Sequence, residues 1–284
     1  MDNTTTYEKI IGIIFPPIVL ITLNHMAYGI AGLFQIILNA INSADVESFD
    51  FSTTLYGNVP TVIQSIIILL LCKFVFIPMW KETKEQAPTK LLKNNAILIA
   101  ITTIIMFSGI DLLTNQYMTV TGLRDHSSYA HLKETFSSWS AFKAIISAVI
   151  IAPITEELCL RGVVQGRLMT WAKPWVAILV QAIIFAIIHM NLIQASYAFF
   201  AGIFLGILYY RFRKLWPCIL AHMVFNFSTS HFFLLFLSRF IEEFTNLHYL
   251  VFGIVLTLLG GFLLLMLPAA VPIYVNVKDP IKEP

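Results

Sequence analysis

Charged residues are scarce in this 284-residue chain: lysine, arginine, aspartate and glutamate together make up 12% of it, about half the share usual in soluble domains. No polar stretch is long enough to build a soluble domain, so a second one is not expected. Cysteine is scarce too. Cys72, Cys159 and Cys218 all lie in apolar runs, and an odd count in such places argues against a disulfide framework. They read as small core residues. Internal repeats and low-complexity segments are missing. A signal-peptide pattern is also missing: only Lys9 is basic before the first apolar run, and no small-residue cleavage site follows it. That run is therefore expected to stay as a membrane helix. Net charge is only +2, and the basic residues sit where membrane topology already needs them. No nucleic-acid partner is expected.

What fills the chain is apolar: 58% of its residues are hydrophobic. Eight runs approach or exceed the ~20 residues needed to cross a bilayer, with cores at 10–38, 59–79, 95–115, 141–169, 175–193, 195–210, 216–237 and 247–268. The first carries Pro16-Pro17 and Asn24-His25, which predict a kink or an interfacial start. The 195–210 run is short and reads as tilted or partly re-entrant. With the N-terminus inside, thirteen basic residues fall on the cytoplasmic side, among them Lys81, Lys84, Lys90, Lys93, Lys278 and Lys282. Only Arg124, Lys133, Lys143 and Arg239 fall outside, together with Asp45, Glu47, Asp50, Glu242 and Glu243. This positive-inside bias predicts an all-α, polytopic membrane helical bundle of about eight transmembrane helices, N-in and C-in. Trp80, Trp171, Trp175 and Trp216 sit at predicted cytoplasmic helix ends, as interfacial anchors do. The chain reads as one integral-membrane domain over 1–284, with a helical core over 140–230.

One cluster breaks the apolar pattern. Glu156-Glu157-Leu158-Cys159-Leu160-Arg161 puts three charges in six residues after a long apolar run. A charge at mid-bilayer costs roughly 2.5–3.5 kcal/mol, so three cost about 8–10 on a lipid-facing surface. These groups must face protein or a watery cavity, where ionisable residues point to function. Glu157 and Arg161 are four apart and can pair on one helical face. Glu156 is rotated by about 100° and left for other work. His189 follows on the fifth run with Phe185 one turn before it, and His222 and Asn226 share a face of the seventh. Segments four and five form a hairpin turning near Ala172-Lys173-Pro174, and Glu156 and His189 both lie about 20–25 Å from that turn. His222, about 12 Å past Lys214, reads as shallower unless the fourth segment extends or tilts. Pro153 fits a hydrated cavity beside the carboxylates. Taken singly, each residue also has a packing role open to it; Asp111 and His25 are assigned to packing or helix ends.

Glu156-Glu157-x-x-x-Arg161, Phe185-x-x-x-His189 and His222-x-x-x-Asn226, in this order and spacing, resemble the three motifs of the CPBP family. These are the CAAX-processing and bacteriocin-processing (Abi) membrane proteases. The Gly202-x-x-x-Gly206 helix ending in Tyr209-Tyr210-Arg211 resembles the family segment between the second and third motifs. The likeness covers about residues 140–230. It implies an intramembrane endopeptidase acting on a membrane-associated protein or peptide: a prenylated CaaX protein, or a bacteriocin or pheromone precursor. The compact size and the lack of an obvious retention signal point to a bacterial plasma membrane. Membrane lipid is the other expected partner.

The implied roles agree with the chemistry of peptide hydrolysis, which needs a base for water, an acid for the leaving amine and donors for the oxyanion. Glu156 and His189 would activate water, His222 and Asn226 would steady the oxyanion, and Glu157, Arg161 and Phe185 would support them. The metal question stays open at this point. Glu156, His189 and His222 could form a zinc set with an open position for water, and a metal-free glutamate mechanism is equally reasonable. The competing readings are a non-catalytic membrane scaffold or bacteriocin self-immunity protein and, ranked last, a small-molecule transporter, for which the inverted repeat is lacking.

Overall fold

The computed structural model describes residues 5–43, 53–81, 95–130, 134, 140–229 and 246–268, and among these there is no strand. The chain is a helical membrane bundle. Helix α1 spans Thr6–Ser43. Helix α2 spans Thr53–Leu71 and is prolonged by a π-helical turn, Cys72–Phe76, and a last turn, Ile77–Lys81. Helix α3 spans Ala96–Val120. Helix α4, over 141–168, alternates α-helical pieces (Ala141–Lys143, Ala152–Glu157, Gly166–Leu168) with π-helical ones (Ala144–Ile151, Leu158–Gln165). Then follow α5 (Pro174–Ile188), α6 (Leu192–Phe212), α7 (Leu215–Thr229) and α8 (Asn246–Met266).

Pro153 shapes α4. It cannot donate a main-chain hydrogen bond, and its ring crowds the carbonyl four residues back. The wider π turn that ends at Ile151 gives that ring room. The expected run 175–193 is cut at Ile188, because Met190 takes a left-handed φ of 49°. Asn191 then starts a new helix by accepting from the main-chain N–H groups of Ile193 (3.0 Å) and Gln194 (3.1 Å). This corrects the short, re-entrant reading of 195–210. Helix α6 has 21 residues and is long and apolar enough to cross a membrane. Stretches of α1, α2, α3 and α8 meet the same test, whereas α5 and Leu215–Phe227 of α7 are shorter. The later part of the run 216–237 lies outside the described residues. So do Lys84, Lys90, Lys93, Lys133, Arg239, Lys278 and Lys282, and the acidic Asp45, Glu47, Asp50, Glu242 and Glu243.

The bundle is apolar outside and polar at selected points inside. Ile14, Leu33, Phe74, Leu258 and Phe262 are exposed, while Asp111, Glu157, Arg161, Gln165 and Gln181 are buried. That is the arrangement a bilayer selects. Small residues bring the helices close. A Cβ at Gly260 of α8 would fall 2.5 Å from the main-chain nitrogen of Met106 on α3, and one at Gly109 would fall 2.5 Å from that of Thr257. Helix α7 packs on α3. Two arginines tie outer helices to the rest. Arg167 Nη1 donates to the Gly12 carbonyl of α1 (3.0 Å). Arg211, at the end of α6, donates to the carbonyls of Leu264 (3.0 Å), Leu265 (2.8 Å) and Leu267 (2.7 Å) at the end of α8. The three cysteines are buried and form no disulfide with one another.

Candidate active site

The Glu157–Arg161 pair forms as helical spacing predicts: Arg161 Nη1 donates to Glu157 Oε1 at 2.8 Å, and both side chains are fully buried. The same oxygen also takes a bond from another helix. His222 Nδ1 of α7 lies 2.8 Å from Glu157 Oε1. A carboxylate only accepts, so Nδ1 is the ring nitrogen that carries hydrogen. The other nitrogen, Nε2, faces Glu156 Oε2 at 3.7 Å. His222 therefore lies beside both glutamates, and the shallower depth expected for it does not hold. Helix α4, with π-helical stretches on either side of its Ala152–Glu157 piece, brings its carboxylates to α7.

Phe185 is the hub beneath these charges. It is buried, and the Arg161 guanidinium lies over its ring, 4.7 Å from the centroid. His189 and His222 meet the same ring edge-on at 4.8 and 5.5 Å. His189 caps the end of α5, and its Nδ1 lies 2.7 Å from the Phe185 carbonyl. A carbonyl also accepts only, so Nδ1 carries the hydrogen here too. Both histidines thus present Nε2 as the free ring position. Asn226 Nδ2 donates to the Ala148 carbonyl of α4 at 2.9 Å, which ties α7 to α4.

Glycines 202 and 206 hold the other side of the cluster. A Cβ at Gly202 would lie 3.0 Å from the Ala182 Cα, so only glycine lets α6 approach α5 this closely. Their bared carbonyls accept side chains. Gly202 O takes Arg161 Nη2 (3.3 Å) and Gln181 Nε2 (2.7 Å), and Gly206 O takes Gln165 Nε2 (2.8 Å). Gln165 and Gln181 were missed by sequence reading. The available signal was the stripe Glu157, Arg161, Gln165 at spacing four, which puts three polar groups on one face.

Glu156 points the other way, with its side chain 19% exposed, at the edge of a cavity of about 180 Å³. Asn24 and Tyr28 of α1, Gln64 of α2 and Ser147 of α4 help to line it. The possible zinc set, left open by the sequence, does not gather. Among the described residues, no three His, Cys, Asp or Glu side chains could hold one ion together, so Glu156, His189 and His222 form no ligand cage. Asp111 takes the packing role expected of it: it is buried in α3 and accepts from Asn115 Nδ2 at 3.3 Å.

Residues 138–228 match the family described as Type II CAAX prenyl endopeptidase Rce1-like. Over that stretch the chain is similar to the CAAX-processing membrane proteases of the CPBP family. It is similar to "Putative membrane peptidase YdiL" of Bacillus subtilis (strain 168), with 32% identity over 82 residues, which are 29% of this chain and 34% of that relative. The chain thus matches about a third of the length of that curated relative. No solved structure matches the chain. Every motif residue named above lies inside the matched region, and α1, α2, α3 and α8 lie outside it. With its apolar exterior, the chain is an integral, multi-pass membrane protein.

Proposed function

We propose that this chain is an intramembrane endopeptidase that hydrolyses a peptide bond of a membrane-associated protein or peptide, using water activated by Glu156. The observation that carries the reading is the meeting of Glu156 with His222, pinned by Glu157, at the edge of a polar cavity in an apolar bundle. Glu156 takes a proton from water as the oxygen attacks the carbonyl carbon. His189 Nε2 assists as a second base. The oxyanion is met by His222 Nε2, once that nitrogen carries a proton, and by the Asn226 carboxamide. The C–N bond then breaks, and the proton held by Glu156 passes to the leaving amine. Glu157, Arg161 and Phe185 position His222 and do not touch substrate.

The family description favours a prenylated CaaX protein as substrate, and the printed name of the Bacillus relative supports peptidase chemistry in general. The test is cleavage of a farnesylated CaaX peptide by the purified protein in liposomes. Glu156→Gln is expected to lower kcat by about 10²–10⁴-fold, the range for a lost general base. Unchanged turnover would sink the Glu156 assignment, and absence of cleavage by the unaltered protein would favour the scaffold reading. Since the site gathers no ligand set, cleavage is expected to survive a zinc chelator; loss with chelator and recovery with zinc would restore the metal reading.

A further inference from the structure

The cavity beside Glu156 is built from three helices, two of which, α1 and α2, lie outside the matched region. Its volume, about 180 Å³, is that of about six waters or a short length of peptide. Ser147 Oγ is buried and has no hydrogen-bond partner among the described residues, a rare state for a buried hydroxyl and one that a ligand can relieve. Ser65 and Thr155 also line the cavity, but their hydroxyl hydrogens are taken by the carbonyls of Thr61 (2.7 Å) and Ala152 (3.0 Å). They offer the cavity acceptors only. The carboxamides of Asn24 and Gln64 can each both donate and accept, as a peptide main chain does.

Charge narrows the ligand class. Among the described residues, no lysine, arginine or histidine lines the cavity, and the Glu156 carboxylate is the one charged group that does. A free C-terminal carboxylate or a phosphate would meet repulsion and no counter-ion. A neutral amide meets matched donors and acceptors, while Ile68 and Ile151 offer apolar wall to a small side chain.

We propose that this cavity is a subsite for an uncharged stretch of peptide main chain beside the bond under attack, with Ser147, Gln64 and Asn24 binding its amides. It rests on the endopeptidase reading above. In enzyme terms, α1 and α2 then select for substrates cut within the chain, with the charged terminus held away from this pocket.

The test uses the full-length protein in detergent with Ser147→Cys, against the background of three buried native cysteines. Labelling by methyl methanethiosulfonate is followed by mass spectrometry. Saturating N-acetylalanine N-methylamide is expected to slow labelling at least about fivefold, N-acetylalanine with its free carboxylate is expected not to, and Gln64→Leu in the same background is expected to remove the protection. Failure of the introduced thiol to label, no protection by the amide, or equal protection by the acid overturns the subsite. In cleavage assays Gln64→Leu is expected to raise KM about tenfold, the loss of one hydrogen bond, whereas Glu156→Gln lowers kcat. If the unaltered protein cleaves no peptide, the endopeptidase reading fails, while the protection result stands or falls separately.

Discussion

At the scale of single residues, Glu157 decides how the buried charges are held. One oxygen serves Arg161 of its own helix and His222 of α7, both at 2.8 Å. Glu157→Gln leaves the Arg161 cation buried without a counter-ion, and Arg161→Met leaves the carboxylate in the same position. Each is expected to cost about 3–5 kcal/mol of stability, as breaking a buried pair does. The joint variant Glu157→Gln/Arg161→Met strands no charge and is expected to recover much of that loss. Thermal unfolding of all three in one detergent checks this, and additive losses would show that the pair is not coupled. The joint variant also separates stability from positioning. His222 then rests on an amide oxygen in place of a carboxylate, and Phe185 loses the Arg161 guanidinium stacked on its ring. A misplacement of about 1 Å can cost about 10²-fold in rate. Cleavage by the folded joint variant is expected to fall by that order.

At the scale of elements, close approach is set by glycines whose neighbours are main chain. A Cβ at Gly260 meets Met106 N at 2.5 Å, and main chain cannot turn aside as a side-chain tip can. Gly260→Ala must push α8 off α3 and is expected to cost about 1–3 kcal/mol. Gly32 of α1 has nothing within 4 Å of such a Cβ, so Gly32→Ala is expected to be neutral or to gain up to about 1 kcal/mol of helix propensity. Unfolding midpoints of the two variants should move in opposite directions or differ clearly in size. The apolar runs that became these helices were legible because bilayer thickness and hydropathy bound each one separately. The Glu157–Arg161 pair was legible because spacing four fixes a shared face. The bond from Glu157 to His222 was not, since it joins residues 65 apart through the crossing of two helices. Nor were the π turns of α4, which depend on how Pro153 and its neighbours pack. The break at Met190–Asn191 was visible only as a gap between two runs, because a left-handed methionine leaves no mark in composition.

At the scale of the whole molecule, the helices outside the matched region complete the site. Helices α1 and α2 wall the cavity beside Glu156, and α3 backs α7, which carries His222 and Asn226. Hydropathy alone assigns α1 and α2 no role, because a cavity between helices depends on how they face one another. Arg167 and Arg211 fasten this outer frame, and the two differ in what they should control. Arg211 makes three bonds to carbonyls at the end of α8, where the last helical turn has no partners of its own. Hydrogen bonds to a charged group are worth about 1.5–3 kcal/mol each when unshared. Arg211→Gln is therefore expected to lower the unfolding midpoint and to speed amide exchange in the last turn of α8. Arg211→Lys should fall between, since one ammonium cannot reach all three carbonyls in the guanidinium's fixed fork. Arg167 instead holds α1 at Gly12, on the helix that brings Asn24 and Tyr28 to the cavity. Arg167→Gln is expected to raise KM for a peptide more than it lowers the unfolding midpoint. If the two variants change stability and KM in the same proportion, the outer helices act as a passive shell and not as part of the binding site.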